Sequence, residues 1–202
     1  MEQDNNKSIE KRHAIIEAAL DCFSQYGFDS TSMKMIAQAA DAKSPALIYY
    51  YFKDKDDLLM ACMTDVIVPE VQEIPDNTDP VEWLVQMQAE YLDLLAVPQF
   101  KKLILCAYSV ISRRSDFLEA INTRFREAHR LRFYHFLDVQ INHGILTPLH
   151  YWSVYQDIFY PLSMRMLISG DWGDWDHQPH YLEYLRQRTK RFLYAYSPTA
   201  PV

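Results

Sequence analysis

Glycine is scarce, with four residues in 202. Tight hairpins draw on glycine for positive backbone angles, so this shortage argues against a meander of short strands. Cysteine is as rare. Cys22, Cys62 and Cys106 lie far apart with no CxxC pair, which speaks against a disulfide scaffold or a zinc ribbon and for three small apolar thiols in a reducing compartment. No apolar run is long enough to span a bilayer. The opening MEQDNNKS is polar and lacks the apolar stretch of a secretory leader, so a cytoplasmic location is expected. Positive charge is short as well: 20 Lys and Arg stand against 27 Asp and Glu, a net charge of −7. Even residues 1–60 hold seven Lys/Arg against ten Asp/Glu. A nucleic-acid binder working by bulk charge is excluded, because the phosphate backbone rewards dense cations. Any DNA contact must come from a local placement of cations, amides and hydroxyls.

What is present is a chain of 49% hydrophobic residues with long runs of helical spacing. The pattern predicts an all-α fold of about nine helices. The first covers 8–26, with Ile16, Ala19, Leu20 and Phe23 inward, and Gly27 stops it. Thr31 and Ser32 are capping hydroxyls for a second helix over 32–40. Ser44-Pro45 opens a third over 45–51. Asp54 caps a fourth, with Asp57 in capping-box register, and Pro69 ends or kinks it. Asp79-Pro80-Val81-Glu82 starts a fifth, to about 96, and Pro98 a sixth, to about 112. A long seventh spans 115–143, about 40 Å. Thr147-Pro148 starts an eighth that Pro161 should bend and Gly170 ends. After a loop at 171–178, Pro179 starts a ninth to about 196.

Two short helices within 32–51, joined by a polar turn, form a helix-turn-helix pattern. Leu47 and Phe52 are expected to anchor the second helix, with Ser44, Pro45, Ala46, Tyr49 and Tyr50 outward. Three successive tyrosines cannot all point inward. The segments Gly27-Phe28-Asp29-Ser30-Thr31-Ser32-Met33-Lys34-Met35-Ile36-Ala37 and Ser44-Pro45-Ala46-Leu47-Ile48-Tyr49-Tyr50-Tyr51-Phe52-Lys53-Asp54-Lys55-Asp56-Asp57-Leu58-Leu59 resemble the DNA-binding domain of the TetR family. Two departures stand out: the turn is one residue longer than the commonest form, and Asp41 sits where glycine is usual.

The resemblance implies a DNA-binding domain over 1–54, a ligand-binding and dimerisation domain over 55–202, and a set of contacts. Thr31 and Ser32 would cap the second helix and Lys34 would reach phosphate. Ser44, Tyr49, Tyr51 and Lys55 would meet phosphates, Lys55 because a cation at a helix N-terminus opposes the dipole. Lys43, Pro45, Ala46 and Tyr50 would meet base edges, the small apolar groups suiting thymine methyls.

The rest of the chain resembles the family in architecture, and 160–170 looks like the eighth helix of some members. The resemblance implies a homodimer through the last two helices, for which Trp152, Tyr155, Leu162, Met166, Tyr181, Leu185 and Phe192 are the candidates. It also implies a small-molecule effector held among helices four to eight. Candidates there are Met63, Trp83, Met87, Tyr91, Cys106, Phe125, His129, Phe133 and Phe159, since aromatics and Met line most such sites. Each of these also fits a plain core position.

No nucleophile–base set, glycine-rich phosphate loop or HExxH appears, so neither catalysis nor a cofactor nor a metal is expected. The expectation is a ligand-responsive regulator, a repressor released from a near-palindromic double-stranded operator by a lipophilic or aromatic molecule. A ligand-independent regulator or an activator of the same fold stays open beside it.

Overall fold

The computed structural model describes residues 2–65, 73–110, 127–170 and 179–200, together with 116, 119 and 123. Among the described residues there are nine helices and no strand: α1 Glu2–Tyr26, α2 Met33–Ala39, α3 Pro45–Tyr51, α4 Lys55–Asp65, α5 Pro80–Ala96, α6 Pro98–Val110, α7 Glu127–Asn142, α8 Tyr151–Ser169 and α9 Pro179–Ala195. None of these helices is long and apolar enough to cross a membrane. The expected kink at Pro69, the N-terminal half of the long seventh helix and the loop at 171–178 lie outside the described residues.

Local chemistry explains most helix ends. Asp79 caps α5 by accepting from the amides of Val81 (3.0 Å) and Glu82 (3.1 Å), with Pro80 at the first position. Asp54 accepts from the Asp57 amide at 2.9 Å, and Asp57 accepts from the Lys53 amide at 2.9 Å. The start of α8 differs from expectation. Residues 147–150 are not helical, because the Thr147 amide and hydroxyl both donate to the Tyr196 carbonyl, at 2.9 and 3.1 Å. His150 caps the helix in their place, its ring accepting from the Ser153 amide.

The chain divides into two compact units, one within Met1–Ile67 and Pro98–Thr123, the other within Val68–Val97 and Arg124–Val202. Helix α4 buries Leu58, Leu59 and Cys62 with Ile15, Ile16 and Phe23 of α1 as part of the first unit's core. The Cys62 thiol lies on the Ile16 carbonyl, and Arg12 pairs with Asp65 at 3.2 Å. Helix α6 packs on α1 too, adding Leu103 and Cys106 and an ion pair between Lys102 and Asp21.

The second unit gathers α7, α8 and α9 around α5. Helix α8 runs through Pro161. Proline has no amide hydrogen, so the carbonyl four residues back, that of Asp157, loses its helical partner. Arg188 of α9 supplies the donor at 2.7 Å, and its other nitrogen donates at 2.6 Å to the side-chain oxygen of Gln88. The Gln88 amide in turn donates to the Thr189 hydroxyl at 2.8 Å, with both residues fully buried. This polar seam ties α5, α8 and α9. Arg188→Leu leaves a buried oxygen and a bare carbonyl, so it should cost about 2 kcal/mol in urea unfolding. Arg191→Leu, on the exposed side of the same helix, should change little.

Candidate nucleic-acid interface and effector core

Helix α1 ends at Gly27, whose positive φ of 79° turns the chain toward α2. Ser32 alone caps α2, accepting from the Met35 amide at 3.2 Å. Thr31 is buried, and its hydroxyl is directed at the carbonyls of Gly27 (2.8 Å) and Cys22 (3.1 Å). It is neither a cap nor a surface group, which corrects the expectation for it. The turn after α2 passes through Asp41 at a φ of 48°, the left-handed region that favours glycine. Asp41 thus adopts the shape for which the resemblance leads one to expect glycine. Lys11 of α1 reaches across and donates to the carbonyls of Ala40 and Asp41, at 3.2 and 3.3 Å.

Helix α3 has seven residues, too few to stand alone. Ile48, with no exposed surface, and Phe52 anchor it; Leu47, expected in that role, is half-buried. The Ser44 hydroxyl makes no capping bond. Lys34, Lys43, Ser44 and Ala46 are exposed and Pro45 is half-exposed. Tyr49 and Tyr50 stand out at 54% and 78% exposure. Tyr51 is half-buried; its hydroxyl takes a bond from Ser8 at 3.4 Å and its ring meets that of Tyr50 edge-on.

Lys55 needs a second correction. Its ammonium donates to the carbonyls of Phe28 (2.7 Å), Thr31 (2.9 Å) and Asp29 (3.4 Å), and it lies 4.4 Å from the centre of the Phe28 ring. An ammonium has three hydrogens, and all three are committed. Lys55 is a clamp on the α1–α2 loop and has no donor left for phosphate. Lys11 and Lys55 act as structural cations that sequence reasoning missed; their sequence neighbours do not reveal which carbonyls they meet.

The candidate effector residues fall into separate places. Met63 and Cys106 are buried in the first unit. Burial pushes the Cys106 thiol up to about 12 and raises the Cys62 thiol further, so both stay protonated. Phe125 lies outside the described residues. In the second unit Met87, Tyr91, His129, Phe133 and Phe159 come together, with Tyr155 among them. The His129 ring sits 4.4 Å from Phe159 and 5.2 Å from Tyr91. Its Nε2 faces the Met87 carbonyl at 3.2 Å, so that nitrogen carries the proton, and Nδ1 accepts from the Tyr155 hydroxyl at 3.4 Å. The Tyr91 and Ser163 hydroxyls share a bond of 2.6 Å. Trp83 joins through Phe136 and also borders a surface cleft of about 390 Å³ between Ile74, Leu131 and His135.

The candidate dimer residues lie on the inward side of their helices. Tyr155, Leu162, Met166, Tyr181, Leu185 and Phe192 are all buried within this chain, and Trp152 is half-buried against Tyr155. They form the inward stripes of α8 and α9. The outward apolar groups are Pro161, Met164 and Ile168 on α8 and Leu182, Tyr184 and Tyr194 on α9, with Ile168 at 81% exposure.

Residues 15–62 match the family described as bacterial regulatory proteins, tetR family. Over 111 residues the chain is 38% identical to the HTH-type transcriptional regulator HbdR of Aromatoleum sp. (strain CIB), covering 53% of this chain and 48% of that protein. Over 57 residues it is 40% identical to the HTH-type transcriptional regulator RutR of Escherichia coli (strain K12), covering 28% and 26%. The chain therefore spans about half the length of the first of these relatives, and less of the second. A TetR transcriptional regulator from Agrobacterium tumefaciens shares the fold with a TM-score of 0.72 at 20% identity, over 94% of this chain and 96% of that one. The Flavonoid-responsive Regulator FrrA does so at 0.62 and 22%, over 95% and 99%.

Two outcomes test the geometry. Lys55→Met strands three carbonyls and should lower stability by about 2 kcal/mol in urea unfolding, whereas Lys43→Met should leave it unchanged. Burial lowers the His129 pKa to about 4, against about 6.5 in the unfolded chain. Between these values the unfolded chain holds the extra proton, so stability falls as pH drops from about 6.5 toward 4, by on the order of 3 kcal/mol. His129→Gln should show a smaller loss than the wild type between pH 7 and pH 4.5.

Proposed function

We propose that this chain is a TetR-family protein and a sequence-specific DNA-binding regulator that works as a homodimer. The observation that carries this reading is the outward surface of α3. It presents Pro45, Ala46, Tyr49 and Tyr50, with Lys43 and Ser44 in the turn just before it, on a helix held by Ile48, Phe52 and the Lys11 clamp. Ser32 and Lys34 on α2 add a hydroxyl and a cation suited to phosphate. Tyr51 contributes at most its edge. The reading region is the helix-turn-helix within the first unit, which α4 completes.

Two copies present two such helices to a near-palindromic duplex. The outward groups Pro161, Met164, Ile168, Leu182 and Tyr184 are the surface we assign to the second copy, since isolated apolar side chains rarely cluster on a free surface. We assign effector sensing to the aromatic core around His129. Its rings are in contact, so a guest has to part them, and that gives a ligand a means to favour one conformer. A flavonoid-responsive regulator of the same fold is consistent with an aromatic effector.

The test is selection of a binding sequence from random duplexes, followed by mobility shift. Tyr49→Phe and Lys43→Ala should each weaken binding several-fold without changing the sedimentation of the dimer. Ile168→Glu should yield monomer and lose most affinity, and a flavonoid panel should contain a compound that releases the duplex. No sequence selected by the wild-type chain would overturn the reading.

A further inference from the structure

The rings around His129 are in contact, but the second unit also holds a space that is open already. This is the cleft of about 390 Å³, within the size range of small-molecule sites. Its walls are Glu73, Ile74 and Asp76 from the segment before α5, Trp83 near the start of α5, and Leu131, Arg132 and His135 from α7. The floor is apolar. Trp83 and Ile74 keep only 2% and 8% of their surface, and Trp83 meets Phe136 edge-on at 5.3 Å. Leu131, one helical turn before His135, stands 56% exposed in the wall.

The rim is acidic. Arg132 donates to Glu90 of α5 at 2.7 Å, so its charge is already answered. Asp76 meets the His135 ring at 2.9 Å through one carboxylate oxygen, and both side chains are more than half exposed. Glu73 is exposed and, among the described residues, has no ion-pair partner. Three carboxylates thus face one guanidinium and one imidazole, and negative charge is in excess in either state of the imidazole. An anionic guest would meet like charge at this rim. A neutral one would take water from Glu73 and give nothing in return. We propose that the cleft binds a small organic cation, a protonated amine on an aromatic or branched apolar body. The ammonium lies with Glu73 and Asp76, and the apolar body lies against Leu131 and Trp83. This site is separate from the core around His129, since a guest enters it without parting the rings, and it does not depend on the DNA-binding reading.

The experiment titrates the full chain calorimetrically, near neutral pH and at one salt concentration, with three probes of one skeleton: phenethylamine, phenethyl alcohol and hydrocinnamate. The amine should bind most tightly and the carboxylate least. Glu73→Gln should weaken the amine about threefold, the scale of an exposed ion pair, and leave the alcohol unchanged. Leu131→Ser should weaken amine and alcohol alike, by several-fold. Both substitutions are at exposed positions, so the variants should fold, which an unchanged urea midpoint checks. His129→Gln, in the core, should leave the amine's affinity as it was. Amine binding that responds to Glu73 and Leu131 but not to His129 supports the proposal. A carboxylate that binds as tightly as the amine overturns it. So does amine binding that neither Glu73→Gln nor Leu131→Ser weakens, and so does the absence of any amine binding at millimolar concentration. None of these outcomes bears on the reading of DNA by the first unit.

Discussion

Three hydrogen bonds from one ammonium hold the helix-turn-helix in place. Lys55 gathers the carbonyls of Phe28, Asp29 and Thr31, the stretch of chain between α1 and α2. Without a cation there, three carbonyls would converge with no donor between them. Lys11 does the same for the other turn, at Ala40 and Asp41. Both loops that set the direction of α2 and α3 are thus pinned by side chains from longer helices. A seven-residue helix has little stability of its own, so the orientation of α3 is inherited from these two clamps and from Ile48 and Phe52.

This has a cost for a protein of net charge −7. Two of the seven cations in residues 1–60 are spent on internal carbonyls. In the proposed DNA-binding reading, the exposed Lys34, Lys43 and Lys53 carry most of the attraction to phosphate. Neutral groups, the hydroxyls of Ser32, Ser44 and the tyrosines, make up the rest. Such a surface gains less from counterion release than a basic one and depends more on fit.

Local signals were legible where the interaction is local. The caps at Asp79 and at Asp54 with Asp57 involve partners two to four residues apart, and the structure has both; α3 starts at Pro45 as expected, with no capping bond from the Ser44 hydroxyl. The roles of Thr31, Lys11 and Lys55 were not legible, because their partners lie 4 to 30 residues away and are backbone carbonyls, which carry no sequence signature. The early start assigned to α8 failed for the same reason, since Thr147 is tied to Tyr196. The apolar residues of α8 and α9 exceed what one stripe requires, and that count was readable. Which stripe faces inward was not, because 155, 159, 162 and 166 compete with 161, 164 and 168 at nearly the same helical spacing.

The seam at Pro161 constrains how this sequence can drift. Arg188 supplies the Asp157 carbonyl with the donor that residue 161, lacking an amide hydrogen, does not. Losing the proline first returns an ordinary helical donor and leaves the arginine redundant there, though still bound to Gln88. Losing the arginine first exposes an unmet carbonyl and an unmet side-chain oxygen at once. The two substitutions are therefore unequal as first steps, and relatives that lack Arg188 are expected to lack the proline as well.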